Sequence, residues 1–133
     1  MNARASMLIV DDEESVRRSY TRLLGEAHCE AASDGAEALR AMQRRPFDVV
    51  LLDLRMPGSD GLAVLEEIKH RWPAAEVVVI TGYPTIESAK RALKLGAYDY
   101  LAKPADPEDV VNAARGALLR KRWALQPEPA QVH

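Results

Sequence analysis

Apolar positions along the chain follow two alternating rhythms. Short continuous runs such as "VVLL" and "VVVI" look like strands buried on both faces. Between them, apolar residues recur every three or four positions, as they do on the packed side of a helix. The runs predict strands at Met7–Val10, Cys29–Ala32, Asp48–Leu52, Glu76–Ile80 and Tyr98–Leu101. The strand at Cys29–Ala32 has the thinnest support, resting mainly on the need to separate its flanking helices. Glu14–Leu24 reads as a helix with Val16, Tyr20, Leu23 and Leu24 on one face and Gly25 as its stop. Another helix begins at Ser33-Asp34-Gly35, carries Leu39 and Met42, and is ended by Pro46. Gly61–Trp72 is a third, with Leu62, Leu65, Ile68 and Trp72 along one side and Pro73 behind it. Thr85–Leu95 is stopped by Gly96, and Asp106 to about Trp123 buries Val110, Ala114, Ala117 and Leu118.

Strand–helix alternation with near-continuous apolar strands implies a parallel sheet covered on both sides. Right-handed crossovers make the natural arrangement a doubly wound, five-stranded parallel sheet of order 2-1-3-4-5, the flavodoxin-like α/β class. At 133 residues and 47% hydrophobic, the chain has the material for one domain with one core. It divides into a domain at 1–125 and a polar tail or start of a linker at 126–133, "QPEPAQVH". The net charge of -2 argues against direct nucleic-acid binding, which draws on a basic excess. Arg115, Arg120, Lys121 and Arg122 are instead expected to complement the negative end of the last helix and stay solvated. No apolar run has the length of a membrane span, and "MNARASMLIV" is too short in apolar residues for a secretory signal. The lone Cys29 suits a reducing cytoplasm. His28, His70 and His133 lie far apart and receive no role.

In a doubly wound sheet, sites form at the carboxyl ends of strands, beside the point where the winding reverses. The first strand ends in Asp11-Asp12, the third in Asp53 and the fourth in Thr81, while the fifth leads to Lys103. If the first and third strands are neighbours, Asp11, Asp12 and Asp53 crowd together. Such a set either holds protons or attracts a cation. All-oxygen ligation by few protein groups suits Mg²⁺, and no histidine–cysteine cluster points to zinc. A carboxylate can act as a covalent nucleophile, with an aspartyl phosphate as its product. Phosphoryl transfer then asks for positioning and neutralised charge, which Mg²⁺, the Lys103 ammonium and the Thr81 hydroxyl could supply. Singly, each residue also has a plain structural explanation: Asp11 and Asp12 as helix caps, Asp53 and Thr81 as turn residues, Lys103 as a solvated charge.

Together, "LIVDDEE", "VVLLDLRMPGSDGL", "VVVITGY" and "GAYDYLAKP" resemble the receiver domain of bacterial two-component response regulators, from about Met7 to about Leu119. The resemblance implies that Asp53 is the phosphoacceptor. It implies a Mg²⁺ ion held by Asp12, Asp53 and the Arg55 main-chain carbonyl, and by Asp11 through water. Thr81 and Lys103 take the switch-threonine and lysine positions. Tyr100 takes that of the aromatic residue that turns inward on phosphorylation, and the Lys103–Pro104 bond is expected to be cis. The implied partners are a histidine kinase or phosphotransfer protein as donor, and an output domain, downstream protein or second copy of the chain as receiver of the signal. The segment "TGYPTIESAKRALKLGAYDYLAKP" further resembles receivers that precede an ATPase module in enhancer-binding transcription regulators. Two other functions compete: a Mg²⁺-dependent phosphatase of the haloacid dehalogenase type, and a degenerate receiver that only docks. Arg55 and Tyr83, both bulky and each two residues beyond a site position, are expected to restrict the attacking water and lengthen the life of the phosphoryl group. Gly82, between Thr81 and Tyr83, leaves the wall beside the phosphate open.

Overall fold

The computed structural model describes residues 4–125, so the tail expected at 126–133 lies outside the described residues. Five strands, β1 (Ser6–Val10), β2 (His28–Ala32), β3 (Val49–Leu52), β4 (Glu76–Thr81) and β5 (Asp99–Ala102), form one parallel sheet. Their spatial order is β2-β1-β3-β4-β5. The helices are α1 (Glu14–Leu23), α2 (Gly35–Arg44), α3 (Gly61–Arg71), α4 (Ile86–Lys94) and α5 (Pro107–Leu125). The expected doubly wound order is therefore present, with element ends shifted by a residue or two.

Alternation along each strand splits the core into two layers. Leu8, Val10, Val50, Leu52, Val77 and Val79 pack with α2, α3 and α4 residues such as Met42, Leu65 and Ala92. Met7, Ile9, Val49, Leu51, Val78 and Ile80 pack on the other face with Val110, Ala114 and Ala117 of α5. Helix α1 buries no residue fully and leans on this second layer through Tyr20 and Leu23. Asp34 caps α2 by accepting from Glu37 N–H, and Asp60 caps α3 from Leu62 and Ala63 N–H.

Asp48, expected inside the third strand, stands just before it. Its carboxylate accepts from Ser6 N–H at 2.9 Å and pairs with Lys121 of α5. Glu76 opens β4 buried, 3.3 Å from Arg120 and 3.7 Å from Lys69. These contacts tie the last helix to the amino edge of the sheet. An element the pattern did not predict is a small antiparallel ribbon pairing Arg55–Met56 with Ser59–Asp60, turned by Gly58 at φ 72°. Gly61 follows it, and a side chain there would meet the Leu54 backbone at 2.4 Å. The ribbon and that close approach fix the loop leaving β3.

Candidate functional site

The ladder continues one residue past the strands and so orients the site. Asp11 N–H donates to Ala32 C=O at 3.1 Å, Asp53 N–H to Val10 C=O at 3.0 Å and Lys103 N–H to Thr81 C=O at 2.8 Å. Asp11, Asp53 and Lys103 thus emerge from β1, β3 and β5 with their backbones held by neighbouring strands. Asp11, Asp12 and Asp53 each bring a carboxylate oxygen to within 4.8 Å of the others. Asp11 and Asp53 are buried and Asp12 is exposed.

Lys103 reaches across the sheet to this cluster. Its Nζ donates to Asp11 Oδ2 at 2.6 Å and to Asp53 Oδ2 at 3.1 Å. The remaining oxygens of both acids accept backbone N–H groups, Asp11 Oδ1 from Glu13 at 2.9 Å and Asp53 Oδ1 from Arg55 at 3.1 Å. Burial would lower the lysine pKa, but the two carboxylates outweigh it and raise it, so the amine stays charged. For Asp53 burial wins: its pKa is raised, although the Arg55 N–H and Lys103 oppose this and Asp11 adds to it. One ammonium therefore serves a cluster of three carboxylates, bonding two of them, and Asp53 ionises reluctantly. A second, divalent cation fits that donor set, with oxygen ligands already converging and Asp12 facing solvent.

Thr81 ends β4 fully buried, and its Oγ1 accepts from Tyr83 N–H at 3.2 Å, leaving its own hydrogen to donate. The Lys103–Pro104 bond is cis, as expected. Arg55 and Tyr83 both line the mouth, an open cavity of about 480 Å³ that also includes Asp12, Asp53, Gly82 and Lys103. Tyr100 lies apart from the carboxylates, half-buried against the α4 layer. Its hydroxyl is 2.6 Å from Ser88 Oγ and accepts from Thr85 N–H at 3.3 Å. Thr85 and Ser88 form the capping box of α4, so the ring is fastened to a helix start.

Sequence reasoning missed three participants. Ser88 is one, although Thr-x-x-Ser at a helix start was a readable signal. Arg17, one turn into α1, donates to the Asp11 carbonyl at 2.8 Å. Tyr20, read only as a packing residue, has its pKa raised by burial and lies near enough for Lys103, Asp11 and Asp53 to act on it.

The response regulator receiver domain model matches residues 7–115. The chain belongs to that family. Receivers are phosphorylation-regulated signalling switches rather than turnover enzymes, and this receiver carries the acidic pocket at its sheet edge. It is 37% identical over 132 residues to the DNA-binding transcriptional regulator NtrC of Escherichia coli, covering 98% of this chain and 28% of that protein. Against the crystal structure of the receiver domain of NtrX from Brucella abortus, the TM-score is 0.80 at 38% identity, over 85% of this chain and 98% of the other. Against a CheY-like receiver from Methanospirillum hungatei the TM-score is 0.88 at 25% identity, over 92% and 99%. The likeness to receivers of enhancer-binding regulators expected from the sequence agrees with the first two. The chain spans under a third of the length of the NtrC relative.

Proposed function

We propose that this receiver takes a phosphoryl group from a histidine kinase or phosphotransfer protein onto Asp53. An Asp53 oxygen bonds to phosphorus as the phosphorus–nitrogen bond to the donor histidine breaks, and the nitrogen leaves with the electron pair. Lys103, already on Asp53 Oδ2, turns to an oxygen of the transferred group. Thr81 supplies a hydroxyl donor from the neighbouring strand. Mg²⁺, held by Asp12, Asp53 and the Arg55 carbonyl, and by Asp11 through water, would offset the charge of the incoming group. The single observation that supports this reading best is the convergence of three carboxylates at the carboxyl edge of β1 and β3, two of them bonded to one lysine.

Transfer then favours a second arrangement of Thr81 and Tyr100, altering the face made by α4, β5 and α5. That face would meet an output domain, a downstream protein or a second copy. The domain is taken as 1–125, with 126–133 as a polar tail or the start of a linker, in a cytoplasmic protein. By analogy with the relative named a DNA-binding transcriptional regulator, the output is control of transcription, executed outside this chain.

The test is intact mass after incubation with acetyl phosphate and Mg²⁺. Wild-type protein is expected to gain one phosphoryl group. Asp53→Asn protein, or wild type with chelator, is expected to gain none. No gain under any condition would leave the docking module as the reading, and turnover of a phosphomonoester would favour the phosphatase.

A further inference from the structure

Arg55 and Tyr83 belong to different loops, yet they meet over the site. The Arg55 guanidinium carbon lies 4.2 Å from the centre of the Tyr83 ring, within cation–π range. Each residue is also bonded through its backbone to a site side chain two positions earlier. Arg55 N–H donates to Asp53 Oδ1, and Tyr83 N–H donates to Thr81 Oγ1. The stack therefore completes a chain of contacts running from Asp53 through Arg55 and Tyr83 to Thr81. Both side chains are exposed, and both line the same mouth as Asp53 and Lys103. Arg55 forms no ion pair among the described residues, although Asp12 and Glu13 line that mouth too. A guanidinium without a carboxylate partner is thus parked on a ring beside the acceptor.

We propose that the Arg55–Tyr83 stack is a clasp closed over the mouth of the resting receiver, and that Arg55 leaves the ring for the phosphoryl group once Asp53 carries one. The inference rests on Asp53 being the acceptor. An exposed cation–π contact is a weak attraction, whereas a planar guanidinium meeting phosphate oxygens forms charge-assisted, two-pronged hydrogen bonds. The exchange therefore runs toward the phosphoryl group when it is present and back to the ring when it is lost. Arg55 then shields phosphorus from water, and Tyr83 is released beside the start of α4. The two residues act in sequence: the ring holds the arginine in the resting state, and the arginine guards the phosphoryl group afterwards.

NMR of the full chain reads the exchange directly. The Arg55 δ-methylene protons, lying over an aromatic ring, are expected upfield in the resting protein and at ordinary positions in Tyr83→Ala. After acetyl phosphate and Mg²⁺, with phosphorylation verified by mass, the wild-type signals are expected to move to the Tyr83→Ala positions. Signals that stay upfield in fully phosphorylated protein overturn the proposal, as does a resting wild type already matching Tyr83→Ala. Absence of any mass gain removes the acceptor reading and the clasp with it, and the mass measurement separates that failure from the others. In hydrolysis, Arg55→Ala is expected to shorten the phosphoryl lifetime about fivefold or more; under the clasp the shielding expected of both residues passes to the arginine alone, so Tyr83→Ala changes it less than about twofold. Equal effects from the two substitutions would show that Arg55 has no separate contact with the phosphoryl group.

Discussion

The two edges of the sheet both bury carboxylates against basic side chains, but with opposite balance. At the carboxyl edge, Asp11, Asp12 and Asp53 cluster around the single ammonium of Lys103, which pairs with Asp11 and Asp53 and leaves Asp12 without it. At the amino edge, Asp48 and Glu76 meet Lys121, Arg120 and Lys69. Burial raises the Asp53 pKa in spite of its partners. It also opposes ionisation of Asp48, but there the hydrogen bonds from Lys121 and Ser6 prevail and lower the pKa. A buried acid alone therefore says little. An acid left short of positive charge marks the place that the proposed cation and phosphoryl group would occupy, whereas the compensated edge serves to fasten α5.

Removing the lysine from each edge should break the symmetry most. Lys103→Met leaves two buried carboxylates without their cation and is expected to cost about 3 kcal/mol in metal-free denaturant melts. Added Mg²⁺ should restore much of that loss, since a ligand bound only to the folded state stabilises it by mass action. Lys121→Met should cost about 1–3 kcal/mol, because Asp48 keeps only its Ser6 bond, and Mg²⁺ should restore nothing. Equal rescue of both variants would show that the edges do not differ in this way.

Acid titration of stability sharpens the same contrast. Because the folded Asp53 pKa is raised, its favourable contribution is complete below its ordinary value of 3.8 and is lost as pH rises through the folded value. In metal-free buffer, Asp53→Asn should therefore melt higher than wild type near neutral pH, and the advantage should disappear in acid. Asp48 runs the other way: its contribution is present above the ordinary value of 3.8 and is lost as pH falls through the lowered one. Asp48→Asn should melt lower near neutral pH, with the deficit shrinking in acid. The smallest effect is expected from Glu76→Gln, under about 1 kcal/mol by the same melts, because its Arg120 partner is largely exposed and screened and Lys69 keeps its bonds to the Pro73 and Ala75 carbonyls.

The carboxyl edge of this contrast was legible in the sequence; the amino edge was not, because Arg120 and Lys121 read as solvated charges at a helix end and instead pair with Glu76 and Asp48. Continuous runs such as Val77–Ile80, alternating with helix-period segments, point to strands covered on both sides, and the doubly wound order then brings Asp11, Asp53 and Lys103 to one edge. What escaped was information carried by pairs distant in the chain. Asp48 reads as the first residue of an apolar run; its backbone does join the ladder, through Ser6 C=O and Glu76 N–H, but only the fold shows its carboxylate turned to Lys121 and Ser6. Met56 and Ser59 lack the alternation that would announce a strand, so the ribbon is a consequence of Gly58 and the tight approach at Gly61. The positions of Arg55 and Tyr83 were readable, but their stacking depends on how two loops leave β3 and β4.

The fastening of Tyr100 to the α4 cap bears on how quiet the protein is without a signal. Under the proposed switch, turning the ring inward requires giving up its contacts with Ser88 and Thr85. Two hydrogen bonds of ordinary net strength amount to about 1–3 kcal/mol, which biases a two-position equilibrium by roughly 5- to 150-fold. The background output of unstimulated molecules is then set by a serine and a threonine at a helix start, away from the chemistry. Evolution could tune that baseline there without touching the rate at which Asp53 is modified.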